Sequence, residues 1–296
     1  MNRVWQRHGR DMLLVAPFFA LFGLFGLWPV LRSAWLSLTD YHATEPPVFV
    51  GLRNYAELFA DERFWMALGN TVTYMASVSA IAVSLGLVLA LNFGSHSRLH
   101  QGVRVAFFLP AVAGGVGAIS AWKWLANSEA YGLFNSLRAA LGLEPARFLG
   151  DPAWTMPLLV MVGVWSVLGY NLVIFVAGLR AIPEELYQAA RLDGASRMQQ
   201  LLHITLPNLR PTLVYVSLTG MIASFQVFYE PYLLYGAVDT VGGPLDSALM
   251  LVTYLFDRGF RHLDLGLASA AAWVLTTLLF SLTWLNLRLI GREGRR

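Results

Sequence analysis

Residues Ala153–Leu179 read AWTMPLLVMVGVWSVLGYNLVIFVAGL, 27 positions without one charged side chain. A helix crosses the hydrocarbon core of a bilayer in about 20 mostly apolar residues, so this run predicts a membrane span. Five further runs meet the same test: Met12–Leu38 (one charge, Arg32), Met66–Phe93 (none), Val105–Ala126 (only Lys123), Pro211–Tyr235 (only Glu230) and Leu265–Leu287 (none). A last apolar stretch, Ser247–Phe256, lies between Asp246 and Asp257. It is too short to span and reads as an interfacial or re-entrant helix.

The whole chain agrees with its runs. Of its 296 residues, 56% are hydrophobic and 13% charged, and the mean hydropathy is +0.54. Soluble domains carry about 25% charged residues, so water is the wrong solvent for this surface. A net charge of +3 excludes a dedicated nucleic-acid binder, which concentrates Lys and Arg on one face. Without cysteine there is no disulfide framework, thiolate metal site or cysteine nucleophile. The one lysine, Lys123, sits between two tryptophans and follows no glycine-rich phosphate loop. The apolar run from Met12 is longer than the h-region of a signal peptide, about 7–15 residues, and reads as a retained first span. No repeat or linker divides the sequence, which predicts a single transmembrane domain over residues 1–296.

Charge orients the spans. The N-terminal tail, the 94–104 loop, the 180–210 loop and the C-terminus hold 13 of the 21 basic residues, Arg3, Arg98, Arg191 and Arg292 among them. The alternate loops hold 12 of the 18 acids, including Asp40, Asp61 and Asp239. Basic residues stay on the cytoplasmic side, which puts both termini inside. An even number of spans requires the same.

One loop stands apart. Residues 181–195 read AIPEELYQAARLDGA. Pro183 suits a first helical position, and Glu184 and Glu185 suit the positive end of the helix dipole. Leu186, Ala189, Ala190 and Leu192 keep helical spacing. Gly194, after Asp193, suits a left-handed cap. The loop therefore predicts a helix of about ten residues, after which Pro207 and Pro211 restart the chain into the fifth span. Local physics leaves two readings open: a connector lying on the headgroups, or a pre-formed element for a soluble partner to grip.

The stretch Ile182–Pro207 is similar to the EAA loop of permease subunits of bacterial ABC importers, whose pattern runs EAA, then DGA, then I-x-LP. Here Gln188-Ala189-Ala190, Asp193-Gly194-Ala195 and Ile204 through Pro207 stand at those places. The resemblance is closest to the carbohydrate-uptake family, the maltose-type and glycerol-3-phosphate-type permeases. It extends through Ser37–Tyr41, Gly51, Asn54, Tyr55, Asn70, Thr71, Phe108–Pro110 and Gly242–Pro244. It implies an all-α integral membrane fold, a six-helix bundle of the type I ABC importer kind with a cytoplasmic coupling helix between spans four and five. It implies that Glu184, Glu185, Tyr187, Gln188, Ala189, Ala190, Asp193, Gly194 and Ala195 couple to an ATPase. The implied partners are a sister permease in a heterodimer, two ATPase subunits holding ATP and Mg, and an extracytoplasmic solute-binding protein. No cofactor is implied in this chain, and the implied site is the bacterial inner membrane. One position departs: Gln188 stands where the family has its first glutamate, replacing a charged hydrogen bond by a neutral one about half as strong. Glu184 or Glu185, a turn earlier, offers an acid in its place.

Transported solutes bind near the bilayer midplane, where polar groups are otherwise expensive. The fourth span carries Trp165, Ser166, Gly169, Tyr170 and Asn171, and the fifth carries Phe225, Gln226, Tyr229 and Glu230. Amides and hydroxyls with aromatic faces suit a sugar, and the resemblance implies a sugar site on these two spans. Each aromatic also suits an interfacial anchor or helix packing. Asn171 and Gln226 point more strongly to the pathway, because an amide in hydrocarbon needs partners. For Glu230, beside Pro231 near the outer end of its span, headgroup exposure and solute contact both stand.

The six histidines fall in tails and loops without metal-ligand spacing, and no catalytic constellation is evident, so neither an enzyme nor a metal site is expected. An ion-gradient-driven secondary transporter is the alternative. It predicts intramembrane acids or an inverted repeat, and only Glu230 answers. A lipid-modifying enzyme would need His, Asp or Glu clustered at one interface.

Overall fold

The computed structural model describes residues 14–93, 98–113, 115–128, 132–236 and 241–291. Met12 and part of the charge asymmetry, namely Arg3, Arg7, Arg10, Asp239, Arg292, Arg295 and Arg296, lie outside the described residues. In chain order the elements are α1 (Leu14–Leu36), β1 (Thr39–Asp40), β2 (Val48–Phe49), α2 (Arg53–Ala60), α3 (Glu62–Phe93), α4 (Arg98–Ala113) and α5 (Val116–Leu125). There follow α6 (Leu133–Ala140), α7 (Pro152–Arg180), α8 (Glu184–Leu192), α9 (Arg197–Phe225), α10 (Tyr229–Tyr235), α11 (Leu251–Phe256) and α12 (Leu265–Gly291).

Four helices, α1, α3, α7 and α12, are long and apolar enough to cross a membrane; α9 and α10, bent by 41° at a short break, make a fifth path. The predicted span 105–126 is divided: α4 ends at Ala113 and α5 begins at Val116. Pro110 removes a ladder donor just before the break, and Gly115 takes a φ of 98°, which glycine adopts at little cost.

The chain forms two compact units. The first comprises Met1–Asp61 and Leu255–Thr277. Apart from Arg32 and Ser33 near its end, helix α1 is apolar all round, and every residue is at least partly exposed, Leu14 at 83% and Phe25 at 72%. Such a surface suits lipid or the helices of another subunit. Pro29 would break the helix; a π-turn over Phe22–Leu27, in which the Trp28 N–H donates to the Gly23 carbonyl, carries it past. Beyond α1 the β1–β2 hairpin pairs Thr39 with Phe49 and Asp40 with Val48. The buried Asn54 amide donates to the carbonyls of Ser37 (3.0 Å) and Thr39 (2.8 Å), and the Tyr55 hydroxyl to Ser37 Oγ (2.9 Å). Ser37–Tyr41 and Asn54–Tyr55, separate signals in the sequence, thus form one hydrogen-bonded corner. The Tyr41 carbonyl also accepts from the Leu265 N–H at 2.9 Å, and Asp264 caps α12 by accepting from the Leu267 N–H at 3.0 Å.

The second unit comprises Glu62–Tyr254 and Leu278–Arg296. In it α3, α7 and α9 pack on one another, α4 lies along α7, and α10 lies beside α5. Glycines on α7 set the spacing. A Cβ at Gly163 would collide with the Tyr74 hydroxyl, and one at Gly169 with the Phe107 carbonyl. In lipid, where apolar surface gains little by leaving its solvent, such close approach supplies the attraction. Val78, Trp122, Leu159 and Val162 close one core; Leu172, Phe175 and Val216 close a second. Pro207 and Pro211 do not restart a helix as expected. They lie inside α9, which begins at Arg197, and a π-turn over Leu201–Thr205 accommodates the ring and missing donor of Pro207. Of the stretch Ser247–Phe256, expected as an interfacial or re-entrant helix, only Leu251–Phe256 is helical, and Ala248, Leu249 and Met250 before it are fully buried, where a helix on headgroups would keep one face open.

Candidate functional site

The element predicted over residues 181–195 forms as α8. Pro183 is its N-cap, one position earlier than expected, because its ψ of 130° is still extended. Glu184 and Glu185 occupy the first turn. The far end closes in a Schellman motif: Gly194 has a φ of 78°, the Ala195 N–H donates to the Ala190 carbonyl (2.8 Å) and the Gly194 N–H to that of Arg191 (3.2 Å). Every residue of α8 is at least partly exposed, Leu192 at 89%. The Arg191–Glu184 pair at 2.7 Å spans its open face, where an ion pair contributes little stability. Gln188 and Ala189 are exposed as well. A side-chain bond ties the helix inward: the Tyr187 hydroxyl meets Thr205 Oγ1 at 2.9 Å, in the π-turn of α9. Between α8 and α9 lies a cleft of about 370 Å³ bordered by Asp193, Gly194, Gln199 and His203. All nine predicted coupling positions therefore share one exposed, rigidly capped segment with an acidic first turn. Such an element can seat in a groove of another protein.

The predicted pathway residues divide. On α7, Trp165 packs edge-on against Trp122 of α5, ring centroids 5.6 Å apart. Ser166 Oγ donates back to the Val162 carbonyl at 3.0 Å. Gly169 packs on Phe107, and the buried Asn171 lies against Gly86 of α3. Tyr170 is exposed instead, and its hydroxyl shares a 3.2 Å hydrogen bond with that of Tyr215 on α9. At the break between α9 and α10, Phe225 is buried while Gln226 and Tyr229 are exposed. Glu230 is half-buried in the first turn of α10, where the helix dipole favours an anion. The structure thus gathers Gln226, Tyr229 and Glu230 at one break and joins Tyr170 to Tyr215. It leaves Trp165, Gly169, Asn171 and Phe225 in packing. Sequence reasoning passes over Tyr215, because a lone tyrosine in an apolar run looks like an interfacial anchor. Its partner, 45 residues away, is the signal. Non-helical backbone at membrane depth occurs where protein or a water-filled cavity receives it, and broken helices are where transporters seat their solutes.

A third polar cluster escapes sequence reasoning almost wholly. The turn before α11 holds two consecutive non-glycine residues at positive φ, Leu245 (51°) and Asp246 (55°), after Gly243 (67°). Each such residue costs on the order of 1–3 kcal/mol and persists only where surroundings over-determine it. Here they do. Arg63 grips the Asp246 carboxylate through Nε (2.7 Å) and Nη2 (3.1 Å). The Asn70 amide donates to the carbonyls of Asp246 (3.0 Å) and Leu249 (3.1 Å). Thr71 Oγ1 accepts from the Leu251 N–H (2.9 Å), and Ser247 Oγ donates to Thr155 Oγ1 (2.9 Å).

Residues 71–292 match a family described as "Binding-protein-dependent transport system inner membrane component". The chain is 35% identical over 283 residues to the "Probable ABC transporter permease protein YurN" of Bacillus subtilis, covering 92% of this chain and 94% of that one. It is 32% identical over 288 residues to the "Arabinooligosaccharides transport system permease protein AraP" of Bacillus subtilis, covering 97% and 90%. It is 31% identical over 278 residues to the "Lactose transport system permease protein LacF" of Rhizobium radiobacter, covering 93% and 91%. A crystal structure of a bacterial ABC transporter involved in the import of the acidic polysaccharide alginate shares the fold. Its TM-score is 0.85 at 24% identity, over 98% of this chain and 99% of that one.

Proposed function

We propose a function on the premise that the chain belongs to the family of binding-protein-dependent transport system inner membrane components. It is the membrane-spanning subunit of an ATP-driven importer and forms half of the pathway for a sugar or sugar-like solute. Relatives named for arabinooligosaccharide and lactose transport support the sugar class. A sister permease completes the pathway, two ATPase subunits hold ATP and Mg, and a solute-binding protein delivers from outside. Both termini face the cytoplasm, with α4 and α5 together making one broken pass among six.

The observation that carries this reading is α8, a helix closed at its C-terminal end by a Schellman motif, open to a partner, and bonded to α9 by Tyr187. Closure of the ATPase pair on ATP pushes α8. The Tyr187–Thr205 contact passes that push to α9, and through it to the break that holds Gln226, Tyr229 and Glu230. Solute hydroxyls meet Gln226 and the Tyr170–Tyr215 pair, while Tyr229 offers an aromatic face. This chain supplies positioning and displacement; the chemistry of ATP stays on its partners.

Gly194→Val tests the coupling. A β-branched side chain at its φ of 78° is strained by about 1–3 kcal/mol. The cap then opens and α8 no longer fits its groove. The variant subunit is expected to reach the membrane but to co-purify with less ATPase and to lose solute-stimulated ATP hydrolysis. Wild-type levels of both would mean that α8 is not the coupling element.

A further inference from the structure

Two arginines frame a groove that neither coupling nor solute contact uses. Between α4 and α7 lies a cleft of about 510 Å³ whose walls are apolar: Val105 and Phe108 from α4, Val173 and Ala177 from α7. Arg104, Arg180 and Gln101 close one end. The position of that end is set by the sequence. Arg104 immediately precedes the apolar run that begins at Val105, and Arg180 immediately follows the one that ends at Leu179. Both guanidinium groups therefore sit at one and the same membrane boundary, where long cationic side chains reach the headgroups. From Arg180 to Val173 the groove descends seven residues, about 10 Å of helix at 1.5 Å per residue. Val105 is 67% exposed and Val173 42%, so the walls are open to whatever lies alongside. Among the described residues that line it there is no Asp or Glu.

We propose that this groove binds an anionic phospholipid, its phosphate held between Arg104 and Arg180 and one acyl chain lying between α4 and α7. The apolar walls alone would accept any acyl chain. The two cations at the boundary select: guanidinium forks match phosphate oxygens, and basic pockets between spans favour headgroups of net negative charge. A zwitterionic lipid brings its own cation to the same place and gains less. A free phosphate would satisfy the arginines and leave the apolar walls uncovered, so the lipid is the occupant that matches both halves of the groove. Arg180 also borders the neighbouring cleft with Glu184 and Glu185, which makes Arg104 the stronger of the two contacts. The inference rests on α4 and α7 lying within the membrane, not on the identity of the solute or on the role of α8.

The test uses the assembled transporter reconstituted in phosphatidylcholine bilayers doped with phosphatidylglycerol, then extracted gently, with retained lipid counted by native mass spectrometry. Phosphatidylglycerol is expected to be retained over phosphatidylcholine. The double variant Arg104→Gln, Arg180→Gln should lower that retention about thirty-fold, from roughly fivefold per basic residue near a membrane surface. Arg104→Lys should restore more of it than Arg104→Gln. Ala177→Phe, which fills the groove and keeps both arginines, should abolish it. Equal retention in the double variant overturns the proposal. Displacement of the lipid by excess inorganic phosphate alone would also overturn it and assign a free-anion site. Loss of the sister subunit from Ala177→Phe, with lipid retention unchanged, would assign the groove to a subunit interface. A wild-type chain that retains phosphatidylglycerol yet binds no ATPase would sink the importer reading and leave this one standing.

Discussion

Two short segments of the second unit share their local parts and end in opposite states. Both turn on a glycine at positive φ, Gly194 at 78° and Gly243 at 67°, and both carry a brief helix, α8 in one and a 3-10 turn over Pro244–Asp246 in the other. The 184–195 segment closes its C-terminal end with its own backbone and reaches the rest of the unit through the Tyr187–Thr205 bond and the Gln200 amide, which donates to the Ala195 carbonyl at 2.9 Å. The 243–251 segment is buried to the last atom at Ala248, Leu249 and Met250, and side chains of α3 and α7 hold it. Orphaning a buried carbonyl costs about 1–3 kcal/mol, whereas an exposed bond only competes with water. The difference separates structure from interface. A turn that spends its polar groups on its own chain belongs to the fold, and one that leaves its side chains open is available to be held by something else.

Three substitutions press on that contrast. Asn70→Ala removes both donors to the buried turn and leaves the Asp246 and Leu249 carbonyls without that partner. At about 1–3 kcal/mol per carbonyl, it should lower the unfolding temperature of the solubilised protein more than any single change in α8. A smaller drop than that from Leu192→Ala would break the comparison. Tyr187→Phe deletes one hydrogen bond, about 0.5–1.5 kcal/mol. It should leave the unfolding temperature nearly unchanged while reducing solute-stimulated ATP hydrolysis, since the bond links α8 to α9. A loss of stability with intact coupling would place α8 in the fold rather than the interface. Leu245→Gly is the smallest. Its side chain is 84% exposed and its φ is 51°, so glycine relieves strain at little cost in contacts, its greater freedom in the unfolded chain offsets part of the gain, and unfolding should move up slightly. A fall instead would show that the exposed leucine is being used.

The same contrast explains what the sequence discloses. α1, α3, α7 and α12 are legible because composition over about 20 residues suffices to mark a span. α8 is legible because its signals are local: Pro183 and Gly194 sit within a turn of what they cap. The single span expected over 105–126 misses the consequence of Pro110 beside Gly115, and the restart expected at Pro207 misses a π-turn that keeps the helix whole. Both depend on how neighbours accommodate a missing donor. The turn at 243–251 is illegible since Asn70 and Thr71 act on carbonyls and amides nearly 180 positions away. Among the pathway residues, residue type alone cannot separate Gln226, which is open at the break, from Asn171, which is buried against Gly86.

The division between α4 and α5 bears on how the chain is made. With 16 and 10 residues, neither helix alone is long enough to cross the bilayer core, for which about 20 are needed. Backbone without helical bonds cannot face lipid, and Gly115 at the break is exposed with nothing within 4 Å of where a Cβ would stand, so in a bilayer the break needs cover that the described helices of this chain do not give it. α4 lies along α7 and α5 beside α10, both synthesised later. On the proposed topology the break is therefore expected to settle in the bilayer after α1 and α3, and slowing synthesis between residues 125 and 152 is expected to prolong its exposure.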